Sequence, residues 1–326
     1  MSDSKDSRKA TRGESSSYGT SAAGAPRRVA GGGRTWLGRF VRNRVAPIGL
    51  VIIAASLGVA LCAPVLVPHD IRTMHPAEAL RPPGGPYLFG TDEFGRDVLS
   101  RVLMGSRISL AVAFLSVLTS VLVGTTLGLT AGFYGGWWDA VTMRVMDIVF
   151  AFPAILLAIA IMAVLGTSVA NLVLAIGIVY TPQFARVARA AALTVRGLEF
   201  VDAARALGLG NARIIGRHLI PNVLAPVTVQ VSLSLSLAVL SESALSFLGL
   251  GTQPPTPSWG NMLSEGRQFL ELAPWNAVFP GLAIMLVVLG FNLLGDGLRD
   301  LLDPKLRGGA VVMLERPEAS PSPRRT

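Results

Sequence analysis

Six stretches of this chain run for about 20 residues with almost no charge, near 46–67, 110–131, 142–165, 169–190, 222–247 and 277–296. A helix of about 20 residues spans the roughly 30 Å hydrocarbon core of a bilayer at a 1.5 Å rise per residue. The runs are too long for the strands of a membrane barrel and do not alternate polar with apolar positions, so the pattern predicts helices. The expected fold class is therefore all-α, a polytopic membrane protein with six transmembrane helices. Between the spans no polar segment exceeds about 45 residues, less than an independent domain usually needs.

Composition supports this reading. Hydrophobic residues make up 51% of the 326 and charged residues 15%, and the mean hydropathy of +0.53 lies far from a soluble balance. A net charge of +9 would suggest an anionic partner such as nucleic acid in a soluble protein. Its distribution favours topology instead. Of 29 Lys and Arg, ten precede residue 46, six lie from Arg186 to Arg217 and six follow residue 298, all on one side if six helices alternate. The segment between the first two spans holds five, offset by Asp70, Glu78, Asp92, Glu93 and Asp97. The positive-inside rule then puts both termini and the 191–221 loop in the cytoplasm, with the lipid bilayer as partner and no nucleic acid.

Residues 1–40 form an expected disordered basic tail, 41–307 the transmembrane domain and 308–326 a second cytoplasmic tail. The first apolar segment begins some 45 residues in and has full spanning length, unlike a cleaved secretory signal. Cys62 is the single cysteine, and His69 and His75 are too sparse for a metal site, so no metal is expected. No Gly-x-x-x-x-Gly-Lys-Ser/Thr loop is present to hold nucleotide phosphates.

One polar segment stands apart, residues 199–222 between the fourth and fifth spans. Phe200, Ala203, Ala204 and Leu207 recur at helical spacing and predict one apolar face, with Asp202 and Arg205 three apart on another. Gly208 and Gly210 end that helix, Asn211 is a predicted N-cap, and Ala212 to Leu219 predict a second short helix bearing Arg213 and Arg217. Pro221 suits the first turn of the fifth span. Physically this is either a docking element for a cytosolic protein or a loop whose arginines only set topology.

Charged and polar groups in or near spans are costly and mark cavities or partners. Arg144 and Asp147 are spaced to pair on one helix face, and Gln230 and Glu242 are candidates for a translocation path or for interhelical hydrogen bonds. Thr91 is a predicted cap for a helix carrying Asp92 and Glu93 in its first turn. Asp92, Arg96 and Asp97 fall outside the membrane, where they form an external gate, meet a binding protein, or brace the loop by pairing with one another. Phe152-Pro153 predicts a kink. Asp147 and Asp296 formally allow an intramembrane aspartyl protease, although Met146-Asp147 and Leu293-Leu294-Gly295-Asp296 lack its usual surroundings. An ion-coupled secondary transporter is the other rival, without a visible inverted repeat.

Asp202-Ala203-Ala204, Gly208 and Ile220-Pro221 resemble the Glu-Ala-Ala loop of permeases in ATP-binding-cassette importers, with Asp202 in place of the usual Glu and Ile220 in place of Leu. Phe89 to Arg101 followed by Gly105 to Leu110, Gly132-Phe133-Tyr134-Gly135-Gly136, Ser246 to Gly251, Trp259-Gly260 and Gly295 to Pro304 are similar to the C-type permease subunits of dipeptide, oligopeptide and nickel importers. The resemblance implies half of a translocation path working by alternating access, paired with a B-type permease in a heterodimer. It implies an external substrate-binding protein and two cytosolic ATPase subunits that carry ATP and Mg, while this chain binds no cofactor and hydrolyses nothing. It also implies a coupling helix at Asp202, Ala203, Ala204, Arg205, Gly208, Arg213 and Pro221.

Overall fold

A computed structural model describes residues 45–302, and the expectations for the two tails lie outside them. Helix α1 spans Val45–Leu66, α2 Val98–Tyr134, α3 Gly136–Phe150, α4 Ala154–Leu165 and α5 Val169–Arg196. They are followed by α6 at Glu199–Ala206, α7 at Asn211–Ile214, a π-turn at Ile215–Leu219 and α8 at Ile220–Phe247. Last come α9 at Trp259–Gly266 and α10 at Trp275–Leu302. Among the described residues five helical segments are long and apolar enough to cross a membrane, the Asn211–Phe247 run counting as one. The bent pair α3–α4 makes a sixth if it is one span.

That bend falls where Phe152-Pro153 predicts a kink and divides the expected third span into two helices. The axes of α3 and α4 meet at 92°. Pro153 has no N–H to continue the ladder and clashes with the turn before it, so α3 ends at Phe150 and α4 restarts at Ala154.

The core is built on α2 and α5, packed through glycines one turn apart. A Cβ on Gly124 would fall 2.5 Å from the Thr181 carbonyl oxygen, on Gly128 2.0 Å from that of Ala185, and on Gly132 2.9 Å from that of Arg189. Backbone therefore rests on backbone, as small-residue seams allow between membrane helices that gain little from the hydrophobic effect. Val112, Val117, Leu172, Ile176 and Phe184 fill the same interior with Leu235, Ala238 and Leu245 of α8. Val51, Leu61, Val65, Leu122, Leu156 and Val164 face outward, each at least 61% exposed, a surface that suits lipid or a partner helix.

The boundary of the fifth span also differs from expectation. Asn211 is the first residue of α7 rather than its cap; Gly210 precedes it and gives no side-chain bond. The second short helix does not stop before Pro221 but runs on through the π-turn into α8. A proline inside a helix strands the carbonyl four residues earlier, here that of Arg217, and the wider π-turn makes room for the ring.

Candidate functional site

Helix α6 is a two-faced helix on the cytoplasm-predicted side. Val201 is fully buried and Ala204 7% exposed, both within the main core, whereas Phe200, Asp202, Ala203 and Arg205 are exposed and Leu207 is 80% exposed. The expected single apolar face of Phe200, Ala203, Ala204 and Leu207 is thus split. Ala204 turns inward with Val201, and Phe200, Ala203 and Leu207 remain as an outward stripe at i, i+3 and i+7. Asp202 and Arg205 form an exposed ion pair at 3.2 Å, and the Arg205 guanidinium lies 5.7 Å from the Phe133 ring centre.

The end of α6 is fixed by its own backbone. Leu209 N–H donates to the Ala204 carbonyl at 3.1 Å and Gly208 N–H to that of Arg205 at 2.9 Å, the paired bonds of a Schellman cap. Gly208 has φ +77°, the left-handed conformation this cap requires and only glycine adopts freely. Leu209 then packs against the core. Arg213 is exposed beside this cap, and Pro221 lies exposed in the first turn of α8.

On the opposite side, the charges between α1 and α2 are engaged with one another. Asp97, not Thr91, caps α2, accepting from Ser100 N–H at 3.1 Å. Thr91 instead accepts from Arg81 N–H at 2.8 Å and donates to the Glu78 carbonyl. Asp92 is not in a helix: its Oδ1 receives Phe94 and Arg96 N–H at 2.9 Å each, closing an Asx-type turn. Its Oδ2 meets Arg96 Nε at 2.6 Å and Arg101 Nη1 at 2.7 Å. Arg101 Nη2 reaches Glu265 in the last turn of α9 at 2.7 Å, a partner 164 residues away that local reasoning missed. Asp92, Arg96, Asp97 and Arg101 are each at most 5% exposed. Burial pushes the Glu93 carboxyl above its ordinary range, aided by the charges of Asp92 and Glu265 and opposed by Arg96.

Within the spans, Gln230 Nε2 donates to Gln183 Oε1 at 3.0 Å and to Ser234 Oγ at 3.1 Å. Glu242 is fully buried and accepts from Ser246 Oγ at 2.8 Å and Ser243 Oγ at 3.4 Å. Tyr180 Oη lies 2.9 Å from Ser241 Oγ, so α5 and α8 share a polar seam to which Gln183 and Tyr180 belong. Asp147 does not pair with Arg144. Its partner is Arg186 at 2.8 Å, and Arg189 holds Asp139 at 2.6 Å, so two ion pairs tie α3 to α5. Asp296 is exposed.

A family model described as the binding-protein-dependent transport system inner membrane component matches residues 124–308, and one for the N-terminal TM domain of oligopeptide transport permease C matches residues 33–83. The dipeptide transport system permease protein DppC of Alkalihalophilus pseudofirmus is 50% identical over 266 residues, covering 82% of this chain and 88% of that protein. The chain belongs to the binding-protein-dependent permease family. The glutathione transport system permease protein GsiD of Escherichia coli O1:K1 is 45% identical over 83% of this chain and 89% of its own length, and that of Pectobacterium atrosepticum 44% over 82% and 90%. An inward-facing methionine ABC transporter, MetNI, is similar at a TM-score of 0.49 and 19% identity, over 62% of this chain and 97% of the compared chain. This permease is accordingly a multi-pass transport component of the inner membrane, which sets aside the intramembrane protease and the ion-coupled secondary transporter.

Proposed function

We propose that this permease forms half of the path of an ATP-driven importer for short peptides or a related small solute, with a B-type permease as the other half. Relatives named for dipeptide and for glutathione support a peptide cargo. Two cytosolic ATPase subunits, carrying ATP and Mg, hydrolyse the nucleotide, and an external binding protein delivers the cargo. The chain itself catalyses no reaction and binds no cofactor. Its termini and α6 face the cytoplasm, a topology that the clusters of ten, six and six basic residues support.

The observation that carries this reading is the outward stripe of Phe200, Ala203 and Leu207 on a helix whose other face, Val201 and Ala204, is locked into the core. An apolar stripe presented on a short helix fits a groove in a partner, while the buried face transmits force to α5 and α8. Asp202, Arg205 and Arg213 orient that contact, and Gly208 and Pro221 set the angles of the chain leaving it. Asp92, Arg96 and Asp97 act from within by holding the external loop in the shape a binding protein or gate needs. Gln230 belongs to the polar lining between α5 and α8, and Glu242 to a buried serine cluster with Ser243 and Ser246 on α8. The pairs Asp147–Arg186 and Asp139–Arg189 make α3 and α5 move as one body.

The test is uptake of a labelled dipeptide into proteoliposomes holding both permeases, the ATPases and the binding protein. Uptake that requires enclosed ATP, and is lost in Leu207→Glu while the variant permease still inserts, is the expected result. Uptake by this chain without ATPase subunits contradicts the proposal.

A further inference from the structure

Five arginines lie between α1 and the apolar part of α2, and they divide into two groups. Arg81, Arg96 and Arg101 each pair with a carboxylate at 3.1 Å or less. Arg72 and Arg107 are exposed, and among the described residues neither guanidinium has an ion-pair or hydrogen-bond partner; only the backbone N–H of Arg72 is engaged, by Asp70. Both of these free cations line the same cavity, of about 590 Å³, between α1 and α2, with Pro255, Thr256 and Pro257 forming a further side. That volume falls in the range of small-molecule sites.

The cavity has the layout of an amphiphile. Its apolar wall comes from Leu57 and Leu61 of α1 and Ile108 and Phe114 of α2. Arg72 follows the end of α1 at Leu66, and Leu57 lies about 14 Å back along that helix at 1.5 Å per residue. On α2, Phe114 lies about 10 Å deeper than Arg107 by the same rise. The two cations therefore sit at headgroup level, and the apolar wall descends from them into the hydrocarbon. An arginine at this depth gains from a phosphate, whose oxygens match the guanidinium fork, and a run of aliphatic and aromatic side chains below it gains from an acyl chain.

We propose that the α1–α2 cavity holds an anionic phospholipid, its phosphate between Arg72 and Arg107 and an acyl chain along Leu57, Leu61, Ile108 and Phe114. The lipid belongs to the outer leaflet on the topology proposed above. A thiol label applied to intact cells carrying Arg72→Cys in a Cys62→Ser background tests that topology alone. Lipid preference is read without reference to leaflet, so the two claims fail separately.

The probe is spin-labelled phosphatidylglycerol against spin-labelled phosphatidylcholine, with the full chain and its partner permease in nanodiscs of mixed phosphatidylcholine and phosphatidylglycerol. A preference for phosphatidylglycerol in the immobilised fraction is expected. Arg72→Gln with Arg107→Gln should cut that preference by up to about thirtyfold, the two cations near an anionic surface together contributing on the order of 2 kcal/mol. Arg72→Lys with Arg107→Lys should keep most of it. An unchanged preference in a monodisperse glutamine double variant overturns the proposal. So does high-yield cross-linking of Arg107→Cys to the partner permease, which would show protein rather than lipid over the cavity.

Discussion

Replacing Arg101 by Met is the sharpest probe of the charge network between α1 and α2. The side chain is 3% exposed and makes two ion pairs of 2.7 Å, to Asp92 and Glu265. Its removal leaves Asp92 with Arg96 at 2.6 Å and Glu265 with Arg96 at 3.6 Å. The cluster of Asp92, Glu93, Glu265, Arg96 and Arg101 then goes from a formal charge of about −1 to about −2 by simple count. Breaking one side of a buried pair costs about 3–5 kcal/mol, and because Glu265 keeps a quarter of its side chain in solvent, the lower end applies, about 3 kcal/mol. For a chain of this size that is a fall of roughly 6–12 °C in the unfolding midpoint. The assay is thermal unfolding of the solubilised permease, with Glu265→Met and the double variant completing a cycle; the double variant should cost less than the sum, because the orphaned carboxylate is gone. Glu93 adds a pH signature. Its raised pKa means the folded state holds more protons between the ordinary carboxylate value and the raised one, so stability falls as pH rises through that window. Glu93→Gln should abolish this fall. A midpoint shift below about 2 °C, or a pH slope of the opposite sign, would refute the reasoning.

Other positions give separate tests. Gly128→Ala places a methyl 2.0 Å from the Ala185 carbonyl oxygen, forcing α2 from α5 at a cost of about 1–3 kcal/mol, seen as a lower unfolding midpoint and reduced yield. Gly208→Ala meets no side chain but strains φ +77°, costing about 1–2 kcal/mol locally, which hydrogen exchange at the end of α6 should report. Ala203→Asp should leave permease stability within about 0.5 kcal/mol while weakening recovery of the ATPase on affinity purification. Ala204→Asp, one residue on, should destabilise the permease itself, because its carboxylate enters the core.

The comparison of sequence and structure turns on range of interaction. Apolar runs declare their own helices, because every backbone group in lipid must be satisfied within the segment. Phe152-Pro153 announces a break, but neither the 92° angle nor the ties from Asp139 and Asp147 to α5 are contained in any local pattern. Arg144 at i−3 is the nearest candidate for Asp147 in sequence, yet Arg186 on a neighbouring helix wins. Thr91-Asp92-Glu93 reads as a helix start, but the Asp92 carboxylate takes the Phe94 and Arg96 N–H groups into a turn and leaves capping to Asp97. On α6 helical spacing groups Phe200, Ala203, Ala204 and Leu207 on one face, whereas the buried residues are Ala204 and Val201, small enough to lie against the permease. Residues 199–222 stand out in the sequence as one polar segment; which of them face outward is not legible there.

The central claim is that α6 presents its outward stripe to a cytosolic ATPase, and cysteine cross-linking in the assembled importer tests it most directly. In a Cys62→Ser background, Ala203→Cys and Leu207→Cys are predicted to join the ATPase through a short bifunctional reagent, with a yield that changes when ATP is added. Val201→Cys, fully buried, should give no such product. Absence of any ATPase adduct at Ala203 and Leu207, or an equal yield at Val201, would contradict the account.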